Sequence, residues 1–251
     1  MRAMVAYLLL ALLWPRVALA QTCGGFERWA VKVGSDPGVT AVDFANPVTT
    51  SLHNLVNLPR PTVPNDNVTR TNLERTVRVV DARLVQFKLE AGKDGDNDFH
   101  LVISDDTLQF STHDVLSPHS FVAEVVNPDC VSGSHDDTAF PSQIQAQLVA
   151  MHTKFVNQCN MLTDGSWNEL VGIPVRLTGI GFFDRPHFQT GRATNGIELH
   201  PLLDIDFNPT PIVTPPPPVC RSSSLAFALA ISNSASLCQW RTSRRMSPSR
   251  R

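Results

Sequence analysis

From Ile197 to Phe207 the chain alternates almost without fault. Ile197, Leu199, Pro201, Leu203, Ile205 and Phe207 fall on one side, and Glu198, His200, Asp204 and Asp206 on the other, with Leu202 the exception. A two-residue period describes a strand with one buried face. Pro201 cannot donate to a ladder, so the strand is expected at an edge or a bulge, with Glu198 and His200 on its wet face. Upstream, Val171, Ile173, Val175 and Leu177 alternate in the same manner, and their phase continues through Gly179 and Gly181 to Phe183. Between the two runs lies FFDRPHFQTGRATN (182–195), which has neither strand nor helix period.

The preceding chain supplies the remaining elements. In TVRVVDARLVQFKLE (76–90) the apolar phase shifts near Val80 and again near Val85, the pattern of a long, bulged and bent strand. AGKDGDN (91–97) reads as a polar hairpin loop and FHLVISD (99–105) as the return strand. TLQFST and SFVAEVV continue as strand material, interrupted at Pro118. One helix follows: Pro141 suits a first helical position, and Ile144, Leu148, Met151 and Phe155 form a single stripe ending near Gln158.

Long strand, strand, strand region, helix, strand, strand is the element order of the OB-fold, a five-stranded, partly open barrel. The expected class is therefore mainly β, an OB-fold-like five-stranded barrel with one helix over residues 73–208. An immunoglobulin-like sandwich needs about seven strands and has no place for the helix. Residues 21–72 read as an irregular arm containing one short helix, on which Leu52, Leu55, Val56 and Leu58 make an apolar stripe before Pro59, Pro61 and Pro64. Asn67-Val-Thr69 matches a glycosylation sequon, relevant only to a eukaryotic secretory route.

The two ends differ from this body. Residues 1–20 carry an early Arg2, an apolar run from Val5 to Trp14, and Ala18 and Ala20 before Gln21. This is a secretory signal peptide, and it predicts a secreted or periplasmic protein. Its apolar run is shorter than the roughly 20 residues a membrane span needs, so no transmembrane segment is expected in the mature chain. From residue 209 to 251 a Pro-rich linker, TPIVTPPPP, leads into a tail with a short apolar run and six arginines, expected to be disordered. All 23 acidic residues lie between 21 and 208, against 13 Lys and Arg, a net charge of −10 there. General nucleic-acid binding needs basic surface, so so acidic a body disfavours it.

The segments DFHLVISD, AEVVNPDC and VRLTGIGFFDRPHFQTGRATNGIELHPLLDI resemble a group of small exported bacterial proteins without an assigned activity. The resemblance covers roughly residues 70–207 and implies a shared fold and compartment. It carries over no catalytic residue, and it does not include the Pro-rich linker or the Arg-rich end.

Candidate chemistry gathers in two places. Asp94, Asp96 and Asp98 form a D-x-D-x-D run followed by His100, a spacing that suits a hard cation such as Ca²⁺. The sixth position of an EF-hand loop would fall on Phe99 where a glycine is needed, so a solvated acidic hairpin is the plainer reading. Asp184, His187, Arg192 and His200, with Glu198, form the second set, able to bind a ligand, hold Zn²⁺ or supply acid and base. Of the five cysteines, Cys130 and Cys159 are the favoured disulfide pair across the helix, with Cys220–Cys238 a separate tail loop.

The chain has no G-x-S-x-G, H-E-x-x-H, C-x-x-C or phosphate-binding Gly loop. These readings leave an exported, non-catalytic binding module for a small ligand, glycan or protein, with no required cofactor. The alternative is a metal-assisted, nuclease-like hydrolase centred on residues 182–200.

Overall fold

The computed structural model describes residues 28–64, 69–91, 96–110, 116–131, 142–159, 165–185, 187 and 189–210. The leader, the tail, Asp94, Asn67 and Pro141 lie outside the described residues.

The elements in chain order are α1 (Trp29–Lys32), β1 (Asp43–Thr50), α2 (Leu52–Val56), β2 (Thr76–Leu89), β3 (Phe99–Ser104), β4 (Ser120–Val125), α3 (Gln145–Gln158), β5 (Asn168–Phe183) and β6 (Ile197–Phe207). The fold is strand-rich with few helices. All six strands join one sheet, in the order β1-β2-β3-β4-β6-β5, and β2 also pairs with β5. Strands β2, β3, β4, β6 and β5 therefore close on one another in a ring. Among the described residues no helix is long and apolar enough to cross a membrane.

The ring forms because β2 is long enough to serve two partners. Arg83–Leu89 pairs with β3 while Val77–Phe87 pairs with β5, and both ladders break register between Leu84 and Gln86. This is the bulge that the phase shift near Val85 predicts. The shift near Val80 has another origin: the strand is buried on both faces. Val80, Leu84 and Phe87 enter the main core, while Val77 joins a second cluster with Val39, Ile180 and Leu203.

The main core takes side chains from every strand of the ring, including Phe99, Leu101, Phe121, Ala123, Leu177, Leu199 and Ile205. α3 lays Leu148, Met151 and Phe155 inward, and the Phe155 ring meets Phe87 and Phe99 at centroid distances of 5.2 and 5.4 Å. α2 adds Leu52, Leu55 and Val56, the stripe expected from sequence.

Four expectations need correction. Residues 28–58 are not an irregular arm: α1 buries Trp29, and β1 pairs in parallel with β2. The parallel pairing takes backbone groups of β2 that the alternation of side chains does not reveal. Thr107–Phe110 contains no strand, because Asp105 caps a turn there by accepting from Thr107 N. β6 is not an edge strand, since it lies between β4 and β5. Pro201 is accommodated where the β5–β6 register shifts around Gly179, so the bulge half of that expectation holds. Finally, no Cys130–Cys159 bridge forms: Cys159 packs in the main core, whereas Cys130, packed with Trp29, Val126 and Leu148, is disulfide-bonded to a different cysteine.

Candidate functional site

Successive side chains of a strand point to opposite faces. On β3, β4 and β6 the odd-numbered residues Phe99, Leu101, Ala123, Val125, Ile197 and Leu199 enter the apolar core. The face turned away from it carries Asp98 and His100, then Glu124, then Glu198 and His200. All five are buried, none more than 3% exposed. His100 and Glu124 are direct cross-strand partners, and parallel pairing of Val122 with Glu198 sets β6 alongside.

Two segments roof this polar face. α1 places Arg28 and Lys32 over the Phe182 ring, at 5.1 and 5.8 Å from its centroid. The loop after β5 crosses β3, where the Thr190 carbonyl accepts from His100 Nε2 at 2.9 Å. Gly191 makes that approach possible. Its φ is +86°, and a Cβ there would lie 2.7 Å from the Val102 side chain. Arg60 fixes the loop ends by donating to the Asp184 and Asn195 carbonyls at 2.6 and 2.7 Å.

Some of the buried charge is matched pairwise. Lys32 Nζ lies 3.2 Å from Asp96 Oδ2, Lys88 Nζ 2.9 Å from Glu90 Oε1, and His187 Nδ1 2.9 Å from Asp184 Oδ2. Among the described residues no Lys or Arg comes within ion-pair distance of Asp98, Glu124 or Glu198. Burial, and after it the neighbouring carboxylates, push all three well above the usual carboxyl range. Burial holds His200 well below 6.5, so its imidazole is neutral at neutral pH. For Lys32 burial acts downward, but Asp96 and Asp184 outweigh it and keep the ammonium charged.

His200 is the unusual member. Neither ring nitrogen has a hydrogen-bond partner, and the Asp98 carboxyl meets the Glu124 carboxyl rather than an N–H donor. His200 Nε2 is 3.7 Å from Asp98 Oδ2, and Nδ1 is 3.7 Å from Glu124 Oε2 and 4.0 Å from Glu198 Oε2. These gaps exceed hydrogen-bond length. Leaving a buried polar group unmatched costs about 1–3 kcal/mol. Donor atoms of Asp98, Glu124 and His200 all lie within 4.8 Å of one another, as do those of Glu90, His100 and Glu124.

The residues expected from sequence separate into two groups. Asp184 and His187 pair, and Arg192 joins them by donating to the His187 carbonyl. His200 belongs instead to the interior cluster, together with Glu198; neither faces solvent, because β6 is covered on both sides. Of the D-x-D-x-D run, Asp96 turns to Lys32 and Asp98 to His200, while Asp94 lies outside the described residues. The run is not a solvated hairpin at positions 96 and 98, where both carboxyls are largely shielded from solvent.

Lys32, Glu90 and Glu124 were not among the sequence candidates, and His100 entered only as the residue that follows the D-x-D-x-D run. Their signal was present as a repeated carboxylate-x-His pattern on strands, Asp98-Phe-His100 and Glu198-Leu-His200, with Glu124 alone among the apolar residues of FVAEVV. No family model matches the chain, and neither a curated protein nor a solved structure matches it.

Proposed function

We propose that this is an exported, OB-fold-like binding module whose ligand is a divalent first-row cation of the zinc class, held by Asp98, Glu124 and His200. The observation that carries this reading is His200, a fully buried neutral imidazole with no hydrogen bond to either nitrogen and carboxylates at 3.7 Å on two sides. A tetrahedral site with bonds of about 2.1 Å has donor–donor edges of roughly 3.4 Å. One donor atom from each of the three residues lies within 4.8 Å of the others, so side-chain rotation that draws them together would close them on an ion. Imidazole with two carboxylates suits zinc and its neighbours better than calcium, which prefers six to eight oxygens.

The ring order supports the OB-like reading. β4 runs parallel to β6, and α3 lies between β4 and β5 in sequence. OB-folds bind ligands on the face of their second and third strands, flanked by the loops after the first and fourth. The corresponding parts here are β3, β4 and the loops 90–98 and 184–196, which bear the polar cluster. Burial of the ligand set argues for a closed binding site rather than a hydrolase open to large substrates. The signal-peptide pattern of residues 1–20 supports a secreted or periplasmic location.

The test is zinc titration of the purified, metal-stripped exported protein by calorimetry, with His200→Ala beside it. Saturable binding that falls by one zinc per chain in His200→Ala is the expected result. Absence of binding in the parent, or equal binding in a folded His200→Ala variant, overturns the proposal.

A further inference from the structure

Glu124 presents its two carboxylate oxygens to two different histidines. Oε1 lies 3.2 Å from His100 Nδ1, and Oε2 lies 3.7 Å from His200 Nδ1. We infer that a second divalent cation sits beside the first, held by Glu90 and His100, with Glu124 bridging the pair. This rests on the single-cation reading above and adds the second ion to it.

The tautomer of His100 carries the first step. Its Nε2 faces a backbone carbonyl, which can only accept, so the proton is on Nε2 and Nδ1 bears a lone pair. A histidine whose second nitrogen donates to a carbonyl in this way is oriented as metal-ligating histidines are. The Nδ1 lone pair looks at Glu124 Oε1 at 3.2 Å and Glu90 Oε1 at 3.7 Å. Three acceptor atoms thus converge around one point, with Lys88 Nζ 2.9 Å from Glu90 Oε1 at its rim.

The Gln189 side chain is an independent second observation. It is 9% exposed, and its Oε1 is buried with no hydrogen-bond partner. Its Nε2 lies 3.5 Å from His100 Nδ1 and 3.4 Å from Glu124 Oε1, at the long limit of a hydrogen bond. The carboxamide therefore stands at the same point, and turning it over would offer Oε1 as a further oxygen ligand.

The bridge sets the geometry of the pair. Paired metal ions sit roughly 3.5–4 Å apart, the span that one bridging carboxylate covers. The two positions differ in access. Asp98 and His200 have no exposure, whereas Glu90 is 26% exposed and lies beside Lys88 at the rim. Trp167 stacks edge-on to His100 at 5.6 Å and lies under Lys88 at 5.0 Å. The second ion is thus the solvent-facing one and the first is enclosed.

Zinc stoichiometry by native mass spectrometry of the metal-stripped full chain, read again in Glu90→Gln, decides the matter. The expected result is two Zn²⁺ per parent chain and one in Glu90→Gln. The bound zinc of Glu90→Gln should then be lost in Glu90→Gln/His200→Ala. One ion in the parent overturns the bridged pair and leaves the single site standing. None overturns both. Two ions retained in Glu90→Gln place the second ion elsewhere and also overturn the inference. Circular dichroism of each variant confirms that the fold persists. As a second readout, Cu²⁺ at two equivalents gives a spin-coupled paramagnetic resonance spectrum if the ions share Glu124, and an uncoupled spectrum overturns the bridge.

Discussion

Arg28 and Glu74 meet through two hydrogen bonds of 2.6 and 2.8 Å, and neither side chain reaches solvent. Glu74 also accepts from the backbone N–H of Phe183 at 3.0 Å and of Thr71 at 2.7 Å. One carboxylate therefore ties the N-terminal segment to the end of β5, where the roofing loop begins. Arg70 and Asp36 make a second buried pair beside it, with a shortest distance of 2.6 Å. These contacts hold α1, and with it Lys32, against the polar face.

Replacing Glu74 by Gln leaves the Arg28 guanidinium buried without its counter-charge, a loss of about 3–5 kcal/mol by analogy with other broken buried pairs. The pH dependence has a definite sign. Burial acts upward on the Glu74 carboxyl, but the Arg28 and backbone hydrogen bonds outweigh it and hold the group below 4.5. A depressed folded-state value contributes stability that is complete above the unfolded value and lost as pH falls through the folded one. Urea unfolding of the parent should weaken below about pH 4.5 more steeply than that of Glu74→Gln. Parallel pH profiles would contradict the assignment.

Zinc should raise the melting temperature. Free zinc at 100 times its dissociation constant adds about 2.7 kcal/mol for one site, or roughly 5–10 °C for a domain of this size. Asp98→Asn should lose most of that gain while melting near the metal-free parent, because burial already favours the uncharged carboxyl that the amide resembles. A shift that persists in Asp98→Asn would place the cation elsewhere.

Much of the architecture was legible because the strands that build the core alternate visibly. β5 and β6, the α3 stripe and the bulge near Val85 follow from periodicity alone. The polar face was misread for a physical reason. A two-residue period says that Glu198 and His200 oppose the core, but not whether solvent or another segment covers them. What covers them is α1 and the 184–196 loop, brought there by Arg28, Arg60 and Arg70 over sequence separations that no local pattern encodes. His100 and Glu124 become partners only through the β3–β4 register.

Gly191→Ala tests the roof. The substitution meets both a φ of +86° and a Cβ position 2.7 Å from Val102. Backbone strain and overpacking together predict a loss of about 1–3 kcal/mol. Val102→Ala should relieve the steric part but not the backbone part. A double-mutant cycle measured by urea unfolding should therefore show favourable coupling and incomplete rescue, whereas strict additivity would mean that the loop does not rest on Val102.

His187 reports on the outer edge of the site. Its hydrogen bond to Asp184 raises the imidazole above 6.5, and the same contact, working against burial, keeps the Asp184 carboxyl well below the usual range. A raised folded-state value contributes stability that is complete below the unfolded value of about 6.5 and disappears as pH rises through the folded one. Asp184→Asn removes the charge and should lower the His187 pKa from its raised position. The imidazole C–H resonances of His187, followed by NMR from pH 5 to 9, measure this directly, with His187→Gln supplying the assignment. An unchanged His187 titration in Asp184→Asn would show that the pair does not form in solution. The roofing loop would then be held at that end by Arg60, through the Asp184 and Asn195 carbonyls, and by the Asp184 N–H donating to the Gly196 carbonyl.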